Sequence, residues 1–489
     1  MRTGEHVVDR ALIGGEWVAA QSGREIEVRN PSNDALITTV PEGDASDVKR
    51  AVDAAAAALP AWRALPGSER AKVMRRLFEL MLRDKDRLAE LITLEVGKPV
   101  AEAGAEIAYA AGFIEWSAEE AKRIYGEVVQ AFVPNKRILV LRQPIGVTAA
   151  ITPWNLPAAM ITRKLGPALA AGCTMIVKPA SKTPLSALAI GELALEAGVP
   201  PGVVNVVPGK AAVMAEALLS DARVRALSFT GSTEVGKRLM VLAAEHVTRL
   251  GLELGGHAPV LVFDDADLDL AVAGALASKF RNAGQTCICA NRVYAQAGIH
   301  DRFVEALVAA SEAMTVGDGF TPDVEIGPLV DDRAVAKVEE HIADALTAGA
   351  SVMTGGSRVP PPDGHADRFF APTVLTGVQP GMAIMMEETF GPVAPVIRFE
   401  DEADAVAMAN DTPYGLAAYL YTRDASRLIR VAEALEYGIV GANDGAPSTP
   451  QAPFGGVKES GLGREGGKWG LEEYLETKFI SWGVEPAED

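Results

Sequence analysis

The stretch Ala226-Leu-Ser-Phe-Thr-Gly-Ser-Thr-Glu-Val-Gly236 joins an apolar strand, a glycine turn and the start of a helix. Three earlier apolar runs also end at proline or glycine, at residues 146–153, 174–179 and 203–209. Between and after these runs the residue pattern predicts helices near 162–171, 184–197, 211–219 and 234–245. Apolar strands that alternate with helices predict a parallel sheet covered on both faces, and so an α/β fold.

Working outward, the alternation resumes with a second α/β series that begins at residues 259–263. Upstream, residues 45–120 are rich in Ala, Leu and charged side chains with three- and four-residue apolar spacing, which predicts packed helices. Short strands are predicted at 12–18 and 25–30, and the run at 137–142 is typical of an exposed or pairing strand.

The composition is that of an ordinary globular protein and argues against several classes. Hydrophobic residues make up 48% of the 489, and 46 basic residues face 65 acidic ones for a net charge of −19. A nucleic-acid or anionic-membrane surface needs a basic face, so we expect neither partner. The first nine residues lack the apolar core of a secretory signal, and three cysteines do not form a disulfide framework. A cytoplasmic location is therefore expected.

The glycine turn after the opening strand is a candidate phosphate site. In open parallel sheets ligands bind at the carboxyl ends of the strands, and the free N–H groups at the helix start that follows this turn suit a pyrophosphate. The run to Lys237 is close to a nucleoside-triphosphate loop, but Arg238 stands where a Ser or Thr would hold magnesium. We therefore reject that interpretation.

Two of the three cysteines fall in one polar turn, Gly284-Gln-Thr-Cys287-Ile-Cys289. A reactive thiol lies in a polar, partly open setting, whereas a structural one is buried in apolar surroundings. Upstream, Glu253 precedes a glycine pair that allows close approach of backbone or ligand. A thiol with a carboxylate base predicts covalent catalysis. Asn155, after another strand end, is either a turn former or an amide donor to a developing oxyanion.

Together these segments resemble the aldehyde dehydrogenase superfamily, over a span from about Leu12 to about Phe479. The resemblance implies a Rossmann-type cofactor domain, an α/β catalytic domain and a small β oligomerisation element. The motifs that carry it are, in chain order, Pro153-Trp-Asn-Leu-Pro, Lys178-Pro-Ala-Ser, Phe229-Thr-Gly-Ser-Thr, Leu252-Glu-Leu-Gly-Gly, Gly284-Gln-Thr-Cys and Glu387-Glu-Thr-Phe-Gly-Pro.

The resemblance implies a reaction and assigns its residues. Cys287 adds to an aldehyde, and Asn155 with the Cys287 N–H stabilises the alkoxide. Hydride passes to a nicotinamide, and Glu253 deprotonates the water that hydrolyses the remaining thioester. Lys164 matches a lysine near the nicotinamide. No metal is expected, because the six histidines are scattered and the two neighbouring cysteines lack partner ligands.

The cofactor is expected to be NADP, with NAD as the alternative. Ser181 stands where an acidic residue would repel a 2′-phosphate, and Lys178 and Lys182 flank it. The full set assigned to the cofactor is Thr152, Pro153, Trp154, Lys178, Ser181, Gly209, Gly231, Ser232, Glu388 and Phe390.

Within the superfamily the chain resembles the succinate-semialdehyde dehydrogenases most. That group implies that Arg163 and Arg281 hold a distal carboxylate, which fits the fork of a guanidinium. Ser448, or its neighbour Thr449, is a further candidate for the carboxylate. The loop around them has extra prolines, so glutarate semialdehyde and broader aldehyde oxidation stay open as alternatives.

Two functions of other classes are also considered. A cysteine hydrolase or acyltransferase would pair Cys287 with a histidine such as His257 and need no nicotinamide. A non-catalytic binding protein would keep the glycine turns and lose the nucleophile. Glu253 at the base position argues against the first, and the presence of Cys287 with Asn155 argues against the second.

The resemblance also sets the predicted domains. The cofactor domain spans 1–125 and 144–255, and the catalytic domain 256–460. A hairpin at 126–143 together with 470–489 forms the oligomerisation element of a homodimer or homotetramer. For Cys289 we expect a small buried filler; a reversible disulfide with Cys287, as in related enzymes, is the alternative.

Overall fold

The structure is a computed structural model and describes residues 7–485. The parts of the predicted domains at 1–6 and 486–489 lie outside these residues. The strands are β1 Ala11–Ile13, β2 Glu16–Val18, β3 Glu25–Arg29, β4 Leu36–Pro41, β5 Glu127–Val129, β6 Lys136–Pro144, β7 Val147–Ile151, β8 Thr174–Lys178, β9 Val204–Val206, β10 Val224–Thr230, β11 Arg249–Glu253, β12 Ala258–Val262, β13 Ala290–Gln296, β14 Ser351–Thr354, β15 Thr373–Thr376, β16 Val393–Phe399, β17 Ala417–Tyr421, β18 Ile439–Ala442, β19 Gly461–Leu462 and β20 Leu475–Gly483.

The α-helices confirm the sequence pattern closely, including the four between 159 and 243. They are α1 Ala45–Ala64, α2 Gly67–Arg83, α3 Lys85–Val96, α4 Val100–Glu120, α5 Ala159–Ala171, α6 Leu185–Glu196, α7 Ala211–Leu219, α8 Thr233–Ala243, α9 Leu268–Lys279, α10 His300–Glu312, α11 Asp332–Thr347, α12 Ala383–Met386, α13 Glu402–Asn410, α14 Ala425–Ala434 and α15 Trp469–Glu472.

The strand around the opening motif, β10, lies inside an eight-stranded sheet of order β19-β11-β10-β7-β8-β9-β1-β2. Its five central strands are parallel, and the edge strands β19, β1 and β2 join the sheet through antiparallel pairs. The predicted parallel sheet is confirmed. Apolar side chains from both faces of this sheet form two buried clusters, which explains why the central strands have no polar face.

A second sheet of order β14-β15-β16-β13-β12-β17-β18 contains the predicted later series. All its pairs are parallel except β14 with β15. The strands β3 and β4 form a separate antiparallel pair.

A third, antiparallel sheet joins β5, β6 and β20. It contains the hairpin predicted at 126–143, and the late strand β20 pairs with β6 along its full length. The role of this sheet in oligomerisation and the domain bounds remain predictions.

The order of the strands brings the functional candidates together. Thr152, Gly231 and Glu253 end or follow the neighbouring strands β7, β10 and β11, at one carboxyl edge. Cys287 and Glu388 lie in the turns that lead into β13 and β16 of the second sheet. The candidate site therefore lies where the two sheets approach each other.

Candidate active site

The turn that carries Cys287 has an unusual backbone. Asn282, Ala283 and Gly284 have φ of 51°, 55° and 76°, three consecutive residues in the left-handed region. Only glycine adopts that region without strain, and at Gly284 a side chain would also overlap the Gly391 carbonyl. The turn therefore fixes Cys287 in place through backbone conformation and close packing.

The glycine pair Gly255-Gly256, which follows Glu253, allows the backbone after β11 to pack closely against the turn of Cys287. A Cβ built on Gly256 would lie 2.5 Å from the carbonyl oxygen of Cys287. This confirms the expectation that the pair permits a close backbone approach. It brings the β11 end of the first sheet against the turn of the nucleophile.

Cys287 borders two cavities, which we name the cofactor-side cavity and the substrate-side cavity. The cofactor-side cavity has a volume of about 210 Å³ and the substrate-side cavity about 230 Å³. The thiol belongs to the linings of both, as does Met160. A group at this junction can react with a molecule in one cavity while a second molecule approaches from the other.

The thiol is protonated in this setting. The pKa of Cys287 is raised to about 12, chiefly by burial; the charges of Glu253 and Glu388 act in the same direction, whereas those of Arg163 and Arg281 oppose the shift. Attack on a carbonyl needs the thiolate, so a base or a bound cation is required for reaction near neutral pH.

The cofactor-side cavity contains most of the residues assigned to the nicotinamide half. It is lined by Pro153, Trp154, Asn155, Met160, Thr230, Gly231, Ser232, Leu254, Gly255, Cys287, Glu388 and Phe390. Apolar walls with a few polar groups are typical of a cofactor site.

Two of these residues are held in defined positions. Phe390 has φ of 54°, a conformation rare for an aromatic residue, and its ring meets that of Trp154 edge-on at 5.7 Å. Glu388 accepts a 3.4 Å hydrogen bond from the Gly256 N–H, and burial raises its pKa to about 7.

The cavity fits a pyrophosphate and a ring. Ser232 caps α8, accepting the Val235 N–H at 3.4 Å, so the first N–H groups of that helix face the turn. A Cβ on Gly231 would overlap the ring of Phe229, so the turn cannot carry a side chain. The hydroxyl oxygen of Thr152 is buried without a partner in the described structure.

At the ends of β8 and β9, Ser181 donates to the carbonyl of Gly209 at 3.1 Å. Lys178 is buried, and desolvation lowers its pKa to about 8. Lys182 forms an ion pair with Asp331. The expectation of two available lysines is therefore too simple, because Lys182 is already neutralised by a carboxylate that the sequence did not place beside it.

The substrate-side cavity unites the three residues predicted to bind a carboxylate. Arg163, Arg281 and Ser448 all line it. The remaining lining is Glu102, Ala105, Glu106, Tyr109, Leu156, Met160, Thr286, Cys287, Ile288 and Phe454. Thr449 instead hydrogen-bonds Gln451 at the exposed side of the loop, so Ser448 is the residue that faces the cavity.

Arg163 is 2% exposed and surrounded by aromatic rings. Its guanidinium carbon lies 3.9 Å from the ring centroid of Phe454, and it donates to the Tyr109 hydroxyl at 2.7 Å. Tyr109 in turn lies 2.5 Å from the Ser448 hydroxyl. Two nitrogens of Arg163, Nε and Nη1, have no hydrogen-bond partner in the described structure. A buried guanidinium with spare donors is suited to an anion.

Asn155 is fixed through both its main chain and its amide. The side-chain Nδ2 donates to the Gln285 carbonyl at 2.9 Å, which leaves its second N–H available beside Cys287. This is the arrangement that an oxyanion donor requires, because the donor must be in place before charge develops.

Glu253 lies behind the nucleophile rather than in either cavity of Cys287. Its carboxyl borders a separate small cavity with Arg464 and Glu465, and its Oε2 is buried without a partner in the described structure. Burial and the Glu465 charge raise its pKa well above the usual range, against the opposing charge of Lys164.

Lys164 also does not line the cofactor-side cavity directly. Its ammonium donates to the Thr230 hydroxyl at 2.6 Å and pairs with Glu465. Thr230, not Lys164, lines the cavity.

Comparison with known proteins identifies the family. The sequence pattern of the aldehyde dehydrogenase family matches residues 17–480. This chain belongs to the aldehyde dehydrogenase family. The predicted superfamily and the predicted aldehyde-oxidising enzyme class are confirmed.

Individual members of the family are strongly similar over almost the whole chain. A succinate-semialdehyde dehydrogenase [NADP(+)] of Escherichia coli K12 is 59% identical, covering 97% of this chain and 98% of the relative. A glutarate-semialdehyde dehydrogenase of Pseudomonas aeruginosa is 56% identical, covering 97% of each. The crystal structure of an NADP-dependent E. coli enzyme matches with a TM-score of 0.96 at 59% identity, covering 98% of each chain. The predicted aldehyde dehydrogenase-like α/β fold is confirmed.

In this aldehyde dehydrogenase His257 is not placed as a base. It is 1% exposed, its Nε2 lies 3.0 Å from the Met385 carbonyl, and its own carbonyl accepts from Arg292. Burial and the Arg292 charge lower its pKa well below the usual range. The cysteine-hydrolase alternative therefore loses its candidate base.

The prediction that Cys289 is buried is confirmed. Its Sγ is fully buried, 3.3 Å from the Lys279 carbonyl and 3.4 Å from the Lys279 ammonium. These contacts hold it on the side of α9. The disulfide alternative is not tested by them.

Four residues of the site were missed by sequence reasoning. One signal was available for two of them. Glu106 and Tyr109 share a face of the Ala- and Gly-rich helix α4 with Glu102, and their spacing in the sequence shows this. Lys98 and Glu465 had no local signal, since their partners are distant in the sequence.

Among residues 7–485 no group of three His, Cys, Asp or Glu side chains is placed to hold a metal ion. Across the same residues no helix is both long and apolar enough to span a membrane.

Proposed function

We propose that this enzyme oxidises a short aldehyde with a distal carboxylate, succinate semialdehyde in the first place and glutarate semialdehyde as the alternative. The observation that carries the proposal is the substrate-side cavity, whose lining contains Cys287 together with Arg163, Arg281 and Ser448. The cavity volume of about 230 Å³ leaves room for a small molecule, and two arginines in the lining favour one that carries a negative charge. Relatives named for both semialdehydes support the same class.

The chain's own residues perform the steps around the thiol. The Cys287 thiolate adds to the aldehyde carbon, and the free N–H of Asn155 with the Cys287 main-chain N–H stabilises the alkoxide. The residues of the cofactor-side cavity, among them Glu388 and Phe390, would hold a nicotinamide, which would supply the hydride acceptor. Glu253 takes a proton from the water that hydrolyses the thioester, and its raised pKa makes it a stronger base than an ordinary glutamate.

NADP is the proposed cofactor. Ser181 presents a hydroxyl and no carboxylate at the end of β8, and the neighbouring Lys178 is a buried cation. A 2′-phosphate would meet a positive charge there and no negative one on Ser181. The NADP(+) named in the E. coli relative supports this choice.

The protein is proposed to act in the cytoplasm as a homodimer or homotetramer. The sheet of β5, β6 and β20 exposes large apolar side chains, a surface that an isolated monomer would leave in water. They include Val128, Phe132, Phe479 and Trp482. All three cysteines are free thiols, as expected in a reducing compartment.

The test follows reduced-nicotinamide absorbance with purified enzyme. Succinate semialdehyde, glutarate semialdehyde and butanal are each compared with NADP and with NAD, and Cys287→Ala is the control. We expect a strong preference for the carboxylated aldehydes and for NADP. Equal kcat/KM for butanal would remove the semialdehyde assignment, and turnover retained in Cys287→Ala would remove the covalent mechanism.

A further inference from the structure

A buried ammonium beside the oxyanion donor carries the inference. Lys98 lies in the short link between α3 and α4, and its side chain is fully buried. A buried charge is costly unless it is paired. Its Nζ makes two bonds of 2.7 Å, one to Glu106 Oε2 and one to the main-chain carbonyl of Asn155.

Glu106, whose carboxylate pairs with Lys98, also binds main-chain N–H groups. Glu106 Oε1 accepts the main-chain N–H groups of Ala158 at 2.9 Å and Ala159 at 3.2 Å. These residues begin α5, whose start lacks a cap from its own N-cap side chain. Since α5 carries Arg163, one carboxylate fixes the start of the substrate-binding helix and also binds the lysine that holds Asn155.

Asn155 is tied to the nucleophile's turn by a third contact. Its carbonyl also accepts from Asn282 Nδ2 at 3.1 Å, and the same Nδ2 lies 3.2 Å from the Gln285 carbonyl that Asn155 itself donates to. The main chain of Asn155 is thus held from one side by Lys98 and from the other by the turn that presents Cys287.

We propose that Lys98 and Glu106 are positioning residues that set the Asn155 amide relative to Cys287 for catalysis, an inference that rests on the proposed function. Such a donor must be held within about 0.5 Å of its productive place. Misplacement by about 1 Å costs on the order of 100-fold in rate. The pair touches Asn155 through its main chain, so it acts through that residue.

The test variant removes the charge pair and keeps the helix start. In Lys98→Met/Glu106→Gln both charges of the pair are removed together, and the Gln oxygen can still accept the Ala158 N–H. The matched control is Glu95→Gln. Glu95 is 1% exposed and binds the N–H groups of Leu185 and Ser186 at the start of α6 in the same way, outside both cavities.

The experiment is a double-mutant cycle with Asn155→Ala, in which kcat and KM are measured for succinate semialdehyde with NADP. We expect Lys98→Met/Glu106→Gln to lower kcat about 10- to 100-fold with KM nearly unchanged. In the Asn155→Ala background the further loss should be under about twofold, because residues that act as a unit are not additive. The proposal would be overturned if the kcat losses of Lys98→Met/Glu106→Gln and Asn155→Ala multiplied when combined. It would also be overturned if Glu95→Gln lowered kcat as much as Lys98→Met/Glu106→Gln does.

The same cycle run on p-nitrophenyl acetate separates the proposal from the proposed function. Attack of Cys287 on this ester also forms an oxyanion but needs no nicotinamide or aldehyde. Non-additivity on the ester without aldehyde turnover would reject the function and keep the positioning role. Aldehyde turnover together with additive losses would support the proposed function and reject the positioning role.

A second variant, Asn282→Gly, can be measured if Lys98→Met/Glu106→Gln does not fold. Asn282→Gly keeps the left-handed turn and removes the other donor to the Asn155 carbonyl, without touching a buried charge. It is expected to show the same non-additivity with Asn155→Ala, and additive losses here would contradict the premise that anchoring the Asn155 carbonyl sets its amide.

Discussion

Replacing Arg281 with methionine should remove carboxylate recognition without harming the fold. Arg281 lines both the substrate-side cavity and a second cavity of about 630 Å³, which Glu102 and Phe280 also line. Its Nε is buried without a hydrogen-bond partner in the described structure. Because that nitrogen binds no protein group, its loss leaves no protein acceptor unpaired.

The size of the effect follows from the bond that is lost. A hydrogen bond to a charged group contributes about 1.5 to 3 kcal/mol, and each 1.4 kcal/mol is tenfold in an equilibrium or specificity constant. We therefore expect kcat/KM of Arg281→Met for succinate semialdehyde to fall about 10- to 150-fold. Butanal has the same chain length and no carboxylate, so its kcat/KM should change less than about threefold.

Arg163→Met is the comparison that tests the structural reasoning. Arg163 is buried, donates to Tyr109 and lies 3.7 Å from the Glu465 carboxylate, so its removal leaves buried groups without a partner. Breaking such a buried pair costs about 3 to 5 kcal/mol of stability. Thermal unfolding should therefore shift clearly for Arg163→Met and little for Arg281→Met. If Arg281→Met lowered kcat/KM for butanal as much as for the semialdehyde, the carboxylate role would be refuted.

Three further variants test separate parts of the site. In Glu465→Gln a charge that helps to raise the pKa of Glu253 is gone, so the acid limb of the pH profile of kcat, which includes the thioester hydrolysis, should move to lower pH; an unmoved limb contradicts this. Ser181→Glu adds a negative charge at the ribose, so the NADP/NAD ratio of kcat/KM should fall at least about tenfold, and an unchanged ratio rejects the assignment. Cys289→Ala should leave peroxide inactivation of Cys287 reversible by dithiothreitol, because the contacts of Cys289 hold it toward α9; lost reversibility would favour the disulfide.

Local sequence patterns predicted the elements and the chemistry that depend on neighbouring residues. The apolar runs ending at proline or glycine predicted the parallel strands, because burial on both faces leaves no polar position. The turn before Cys287 marked the nucleophile, and the glycines beside Glu253 marked a close approach that Gly256 makes to the Cys287 carbonyl.

Only the tertiary structure decided which distant groups meet. Lys98 and Asn155 are 57 residues apart, Lys164 and Glu465 301, and Tyr109 and Ser448 339. It also paired Lys182 with Asp331, against the expectation of a free cation. The repeat of residues along a helix or strand determines on which face of that element a side chain lies. A buried ion pair depends in addition on which elements pack against each other, and that is decided by the fold of the whole chain. The sequence therefore determined the reacting groups, and the packing of the two sheets and α4 determined how those groups are held.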